Sequence, residues 1–290
     1  MKKAMLVIIL VGAMMLLSSC SGKSAAPAPA ASTSPVASTS RSTNPRTSEV
    51  TVTGKWELVG KEGDWKGTKD MVGMDGSLWS VEADGSLYKT DPATGNFTEV
   101  GEKGSFHNLK MIEGLDHALW TVEDGTLYKN DPGTGKWVKF GEGGEWSRTV
   151  AMVGMNGILY SIEPDGSLWK TDKDGKDTLI DKGGFKGASH LAAMDGKLWT
   201  IEEGNLYKTD PATLKWEQVG KEGEWANVTA MQGADKFLWI IDSSGTLYKV
   251  DQNGASTVLG ERGSYGQTTI LTTVNGKLWT VEGGNLYKTS

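Results

Sequence analysis

Along residues 51–290, apolar positions alternate with polar ones in short runs, and the runs come in sets of four. The first set reads KDMVGM (69–74), LWSVE (78–82), SLYKT (86–90) and FTEV (97–100). Alternation at period two over so few residues predicts half-buried strands, and the density of glycine and β-branched residues argues against helix. The breaks between runs carry turn chemistry. Asp75-Gly76 and Asp84-Gly85 supply the positive φ of tight hairpins, and Asp91-Pro92 with Gly95 brackets the third connection.

The set itself repeats. Leu followed by Tyr or Trp and then Lys recurs at Tyr88, Tyr128, Trp169, Tyr207, Tyr248 and Tyr287, with spacings of 40, 41, 38, 41 and 39. A second Leu-aromatic column runs through Trp79, Trp120, Tyr160, Trp199, Trp239 and Trp279. Six units of four short strands predict an all-β fold, a six-bladed β-propeller with four antiparallel strands per blade. The chain is out of phase with this unit. It opens on an isolated fourth strand, KWELV (55–59), and ends after a third strand, NLYKT. Residues 55–59 are therefore expected to complete the last blade and close the ring, which hides the edges of an open array. The blades fall at 69–100, 109–140, 149–180, 189–219, 228–259, and 269–289 with 55–59.

Two features alternate from blade to blade. The second loop has four residues in odd blades (82–85, 163–166, 242–245) and three in even ones (123–125, 202–204, 282–284). Before each first strand, Asp64-Trp65, Glu145-Trp146 and Glu224-Trp225 alternate with Ser105-Phe106, Gly184-Phe185 and Ser264-Tyr265. Both point to duplication of a two-blade segment.

The amino-terminal residues do not belong to this pattern. Lys2 and Lys3 precede an apolar run from Ala4 to Leu17, too short for a comfortable bilayer span of about 20 residues. Residues 1–19 read as a secretory signal. Leu17-Ser18-Ser19-Cys20 resembles the lipobox of bacterial lipoproteins, in which the cysteine is acylated and becomes the new amino terminus. An ordinary signal peptide with an incidental Cys20 is the alternative; Cys20 is the only cysteine, so it has no disulfide partner within the chain. From Ser21 to Glu49, 22 of 29 residues are Ser, Thr, Ala or Pro. Residues 20–50 are thus expected to form a lipidated flexible tether reaching roughly 30 Å, ahead of the propeller at 51–290. Ser21 resembles the position that sorts such proteins to the outer membrane. The expected location is the cell envelope, at the outer membrane or cell surface.

Charge narrows the partners. With the five bases and one acid of residues 1–50 set aside, the body holds 25 Lys and Arg against 35 Asp and Glu. A body near minus ten lacks the clustered positive charge that nucleic acid or an anionic membrane face requires, so the only membrane contact expected is through lipid on Cys20. His107, His117 and His190 are scattered, with no metal-ligand or triad spacing, so no metal, cofactor or catalytic residue is assigned and no enzyme is expected. The Ser-x-Asp-x-Gly-x-x-Trp box of propeller sialidases is absent. The oxygen-rich segment 172–177 has spacing that could suit calcium, but it occupies the same turn as 91–96 and reads as a plain turn.

Of 24 aromatic residues, 22 fall into four repeat columns, the exceptions being Phe140 and Phe237. The second- and third-strand columns suit packing between blades. The column before each first strand differs: Trp65, Phe106, Trp146, Phe185, Trp225 and Tyr265 sit outside the alternation, beside glycine and polar residues. The second loop emerges on the same face and starts with an acid in every blade: Glu82, Glu123, Glu163, Glu202, Asp242 and Glu282. A flat ring can cover the apolar face of a pyranose while a carboxylate accepts its hydroxyl hydrogen bonds. Equally, each ring can wedge between blades while the acid caps loop amides. Asp64, Glu145 and Glu224 add a second acid to the Trp65, Trp146 and Trp225 blades.

The unit has a Trp-bearing second strand (LWSVE, LWTVE), a glycine turn, LYK in the third strand and a Trp-bearing fourth strand closing in glycine (KWELVG, KWVKFG, KWEQVG). It resembles the tectonin repeat over residues 54–290. Its blades are some residues longer, and the fourth-strand tryptophan is replaced at Phe97, Thr178 and Thr257. The resemblance implies a lectin-like surface protein that binds glycans or envelope polysaccharide on one face, and a monomeric propeller is expected. The alternative is a lipid-anchored scaffold holding envelope proteins by strand addition or across its top.

Overall fold

A computed structural model describes residues 54–131 and 134–290. Cys20, the signal and the tether lie outside the described residues. The rest forms six four-stranded antiparallel sheets, each ordered as the chain runs except the last. Blade 1 comprises Thr68–Met74, Ser77–Glu82, Leu87–Thr90 and Phe97–Val100, and blade 2 Leu109–Leu115, Ala118–Glu123, Thr126–Asn130 and Trp137–Phe140. Blade 3 is Ala151–Met155, Ile158–Ile162, Leu168–Thr171 and Asp177–Asp181; blade 4 is Ala188–Met194, Lys197–Glu202, Asn205–Thr209 and Trp216–Val219. Blade 5 follows with Val228–Ala234, Phe237–Asp242, Leu247–Val250 and Ser256–Leu259. Blade 6 takes Thr268–Val274, Lys277–Glu282 and Asn285–Thr289 from the end of the chain and its outer strand, Trp56–Val59, from the beginning. Trp56 pairs Thr289 and Val59 pairs Leu286, so the expected closure is present.

Each first strand packs against the first strands of both neighbouring blades, so these six line the axis of a six-bladed β-propeller. Their close approach explains a small-residue position in them. A Cβ on Gly73 would fall 2.0 Å from the carbonyl oxygen of Thr273 in the adjacent inner strand.

The core is divided into six interblade clusters rather than one central mass. Second-strand leucines such as Leu78, Leu159 and Leu238 are fully buried, as are Trp120, Trp199, Trp239 and Trp279. The lysine of the LYK motif has a partner in register: Lys89 stands opposite Trp79 and Lys208 opposite Trp199, with Nζ 5.2 and 5.7 Å from the indole centres. Such a cation over an aromatic face contributes about 0.5–1 kcal/mol at an exposed site.

The blades are also latched through their main chain. The N–H groups of Trp65, Phe106, Trp146, Phe185, Trp225 and Tyr265 donate to the carbonyls of Gly284, Gly85, Gly125, Gly166, Gly204 and Gly245 in the preceding blade, at 2.8–3.1 Å. These six glycines all lie at φ between 68° and 84°. The alternation of loop lengths leads to the same latch by two routes. Even blades use two-residue turns such as Asp124-Gly125, with both φ positive (48° and 68°). Odd blades use a longer loop in which Gly85 N–H turns back to the Glu82 carbonyl.

Candidate functional site

The latch decides where the loop aromatics go. Trp65 is 3% exposed, and its five counterparts lie between 2% and 6%. Each belongs to the core between its own blade and the preceding one: Trp65 packs with Val59 and Leu286 of blade 6 and Met71 and Leu78 of blade 1. Most of each ring is therefore taken up as a wedge between blades, and little of its surface is left for stacking. The third-strand column packs only in part: Tyr248 joins the core between blades 4 and 5. Tyr88, Tyr128, Trp169, Tyr207, Tyr248 and Tyr287 are all half-buried, because their face of the third strand meets the groove between blades above the wedge.

Three of these grooves deepen into cavities with common walls. In blade 1, Asp64, Trp65, Ser80, Glu82, Tyr88 and Phe97 line about 180 Å³. In blade 3, Glu145, Trp146, Thr149, Ser161, Glu163, Trp169 and Asp177 line about 400 Å³. In blade 4, Asp181, Phe185, Glu202, Tyr207, Leu214 and Trp216 are among the residues lining about 350 Å³. The predicted aromatic and acid of each blade do meet there, the aromatic as floor. The walls come from strands: Tyr88, Trp169 and Tyr207 from the third, Phe97 and Trp216 from the outer. Phe97 is 46% exposed and Trp216 68%. Trp65 and Tyr88 both meet Phe97 edge-on, with centroids 6.0 and 5.4 Å apart. The Nε1–H groups of Trp65 and Trp169 are buried without a hydrogen-bond partner among the described residues, as are those of Trp79, Trp120, Trp225 and Trp239 elsewhere in the ring.

The acids differ in how far they are engaged. Glu82 accepts a hydrogen bond from Thr68 Oγ1 at 2.8 Å, and Glu202 from Thr200 Oγ1 at 2.6 Å. Burial pushes both carboxyls above the usual range. Glu123 accepts the Asn108 N–H at 2.7 Å and is also pushed up by burial, as is Glu282. Glu163 is half-buried at the wall of the blade 3 cavity. Asp177 is raised by burial, with Glu145 and Asp172 adding repulsion. Asp64 and Glu145 are exposed at the mouths of their cavities.

Blade 5 is built otherwise. Asp242 caps its own loop by accepting from the Ser244 and Thr246 amides and from Ser244 Oγ, and it also takes the Tyr248 hydroxyl at 3.0 Å. Burial acts to raise its carboxyl, but these hydrogen bonds outweigh it and hold the group below its ordinary value. Ile240 stands where blades 1 and 3 have Ser80 and Ser161. Glu224 accepts from the Lys221 N–H and from Ser256 Oγ. The Trp225 blade thus has its acids occupied from within.

A fourth cavity, about 260 Å³, lies on the axis and is lined by inner-strand residues including Asp70, Glu113, Ser189 and His190. Burial raises the Asp70 carboxyl to about 6, although the Ile112 and Met71 amides donate to it at 3.1 and 2.8 Å. Burial, and then the nearby Asp70, raise Glu113 to about 8, opposed by a hydrogen bond from the Gly154 amide. His190 is lowered by burial; one ring nitrogen donates to the Thr229 carbonyl, and Nδ1 lies 2.9 Å from Ser189 Oγ. These groups have acid–base chemistry, yet each carboxylate serves a backbone amide on the edge of the next inner strand. The Ser189 hydroxyl donates to the Ile201 carbonyl just as Thr229 does to Ile241 and Thr269 to Val281, a repeated structural bond.

No protein-family model and no curated protein matches the chain. Solved structures do resemble it. A protein of unknown function from Bacteroides thetaiotaomicron superposes with a TM-score of 0.61 at 14% identity, covering 82% of this chain and 72% of that one. A streptogramin B lyase gives 0.60 at 13%, covering 81% and 97%. A chain of the nidogen/laminin complex gives 0.56 at 12%, covering 67% and 80%. At such identities the likeness is one of fold. The chain is a six-bladed β-propeller. The same architecture serves a lyase and a complex with laminin, so the propeller's function has to be argued from its own side chains.

Proposed function

We propose that this propeller is a saccharide-binding protein of the cell surface, held to the envelope by lipid on Cys20. The observation that carries the reading is the recurrence of one cavity design in blades 1, 3 and 4: aromatic walls, at least two carboxylates and a wedge ring as floor. Aromatic faces cover the apolar side of a pyranose, and carboxylates accept its hydroxyls. Shallow sites of this size bind weakly one at a time. Several on one rigid ring gain avidity of about 10²–10⁴ on a glycan-coated surface when the spacing fits.

Glycan-array screening of the full chain tests this, run beside a pull-down from envelope extract. A second reading, an envelope protein scaffold, is supported by the apolar groups exposed on outer strands, Leu58, Phe97, Val138, Leu179 and Trp216. Capture of defined envelope proteins with a blank array favours that reading. For the anchor, clickable palmitate should label the wild type and not Cys20→Ala; equal labelling of both rejects lipidation.

A further inference from the structure

Resting on the saccharide reading, the charge of the cavities narrows the ligand. Asp64 and Glu82 line the first, Glu145, Glu163 and Asp177 the second, and Asp181 and Glu202 the third; no Lys, Arg or His lines any of them. The remaining walls are mainly aromatic. We infer that these pockets take a sugar bearing a protonated amine, with the ammonium held between the carboxylates and the ring faces of Tyr88, Trp169 and Tyr207.

Two physical effects favour this class. An aromatic face is electron-rich and attracts cations, and a carboxylate beside it adds a charge-assisted hydrogen bond. Carboxylates with no cationic partner are destabilised by burial, which is why Glu82, Glu202 and Asp177 are pushed upward. An arriving ammonium reverses that penalty, whereas a uronic or sulfated sugar increases it. An N-acetylated sugar brings no charge. The aromatic walls distinguish the sites from a bare acidic patch, because a sugar ring brings an apolar face to them and a simple cation does not.

The test is calorimetric titration of the full chain with three probes: a β-1,4-linked glucosamine trimer, its fully N-acetylated counterpart, and trilysine. The amine trimer should bind about tenfold or more tighter than the N-acetylated trimer, and tighter than trilysine. In the triple variant Glu82→Gln, Asp177→Asn, Glu202→Gln the preference should shrink to about threefold or less. The exposed pair Asp64→Asn, Glu145→Gln should reduce it in part with no change in melting. Equal binding of the two trimers overturns the amine inference and leaves the saccharide reading intact. Equal binding of trilysine and the amine trimer overturns it in favour of charge alone. An undiminished preference in a folded triple variant also overturns it, as does binding of none of the probes, which leaves the saccharide reading to the glycan array.

Discussion

The main-chain N–H of Trp65 donates to the carbonyl of Gly284 at 3.1 Å, joining the first blade to the last across the seam of the ring. The same bond recurs at the other five interfaces, so one contact type ties all six blades. It requires glycine on conformational grounds, since φ at Gly284 is 82°.

Gly166 shows what the latch demands. At φ +84° it already excludes most side chains, and a Cβ would also meet the Lys186 amide nitrogen at 2.4 Å. Gly63 has φ +81°, and a methyl group added there would find nothing within 4 Å. Gly63→Ala should therefore cost about 1–2 kcal/mol from backbone strain alone, and Gly166→Ala clearly more. Urea unfolding of the two variants checks this; equal losses would show that the close approach does not matter.

The two classes of aromatic should part in the same assay. Trp146→Ala removes an interblade wedge and should destabilise by about 3–5 kcal/mol. Trp216→Ala, at 68% exposure, should stay within about 0.5 kcal/mol of wild type. A large loss from Trp216→Ala would place that ring in the core instead.

Closure by the amino-terminal strand predicts the effect of its removal. Deleting residues 1–60 takes away Trp56–Val59, which pairs the last strand, and the Trp56 Nε1–H bond to the Tyr265 hydroxyl at 2.6 Å. The truncated chain should melt lower and associate through its open edge. If sizing and melting match the intact chain, the strand is not the clasp.

The axial carboxyls make stability fall as pH rises. A folded pKa of about 8 for Glu113, against 4.5 unfolded, means the folded chain holds a proton there that the unfolded chain has lost. The contribution is fully present below about 4.5 and is lost progressively up to about 8. Asp70, raised from 3.8 to about 6, acts in the same direction over a lower window. Glu113→Gln keeps an oxygen for the Gly154 amide and should flatten the fall, being relatively more stable at pH 8 than at pH 5; parallel curves for variant and wild type would reject the burial of this group.

Most of the fold is legible in spacing, because blade strands, turns and columns repeat and each column has one environment. Depth is not. Period two tells which face a ring is on, and Tyr88 and Trp79 both obey it, yet one borders a groove and the other packs against the next blade. A flat ring beside glycine suits burial and binding equally, so the sequence leaves Trp65 and its counterparts open to either role. Asp70 and Glu113 are hard to see in the sequence because their columns are mixed: Met111, Ala151 and His190 share the register of Asp70, and Val72, Val153 and Gln232 that of Glu113. The loop pattern groups blade 5 with blades 1 and 3 as the best binders; the odd residue Ile240, set against Ser80 and Ser161, marks it as different.

Removing the three walls while leaving the wedges tests the account most directly. The triple variant Phe97→Ala, Trp169→Ala, Trp216→Ala alters rings that border the cavities of blades 1, 3 and 4 and leaves the latch in place. Binding to an immobilised glucosamine polysaccharide, measured beside melting temperature, should be lost from a ring that melts close to wild type. A folded variant that binds the polysaccharide as the wild type does would contradict the assignment of these cavities as the saccharide sites.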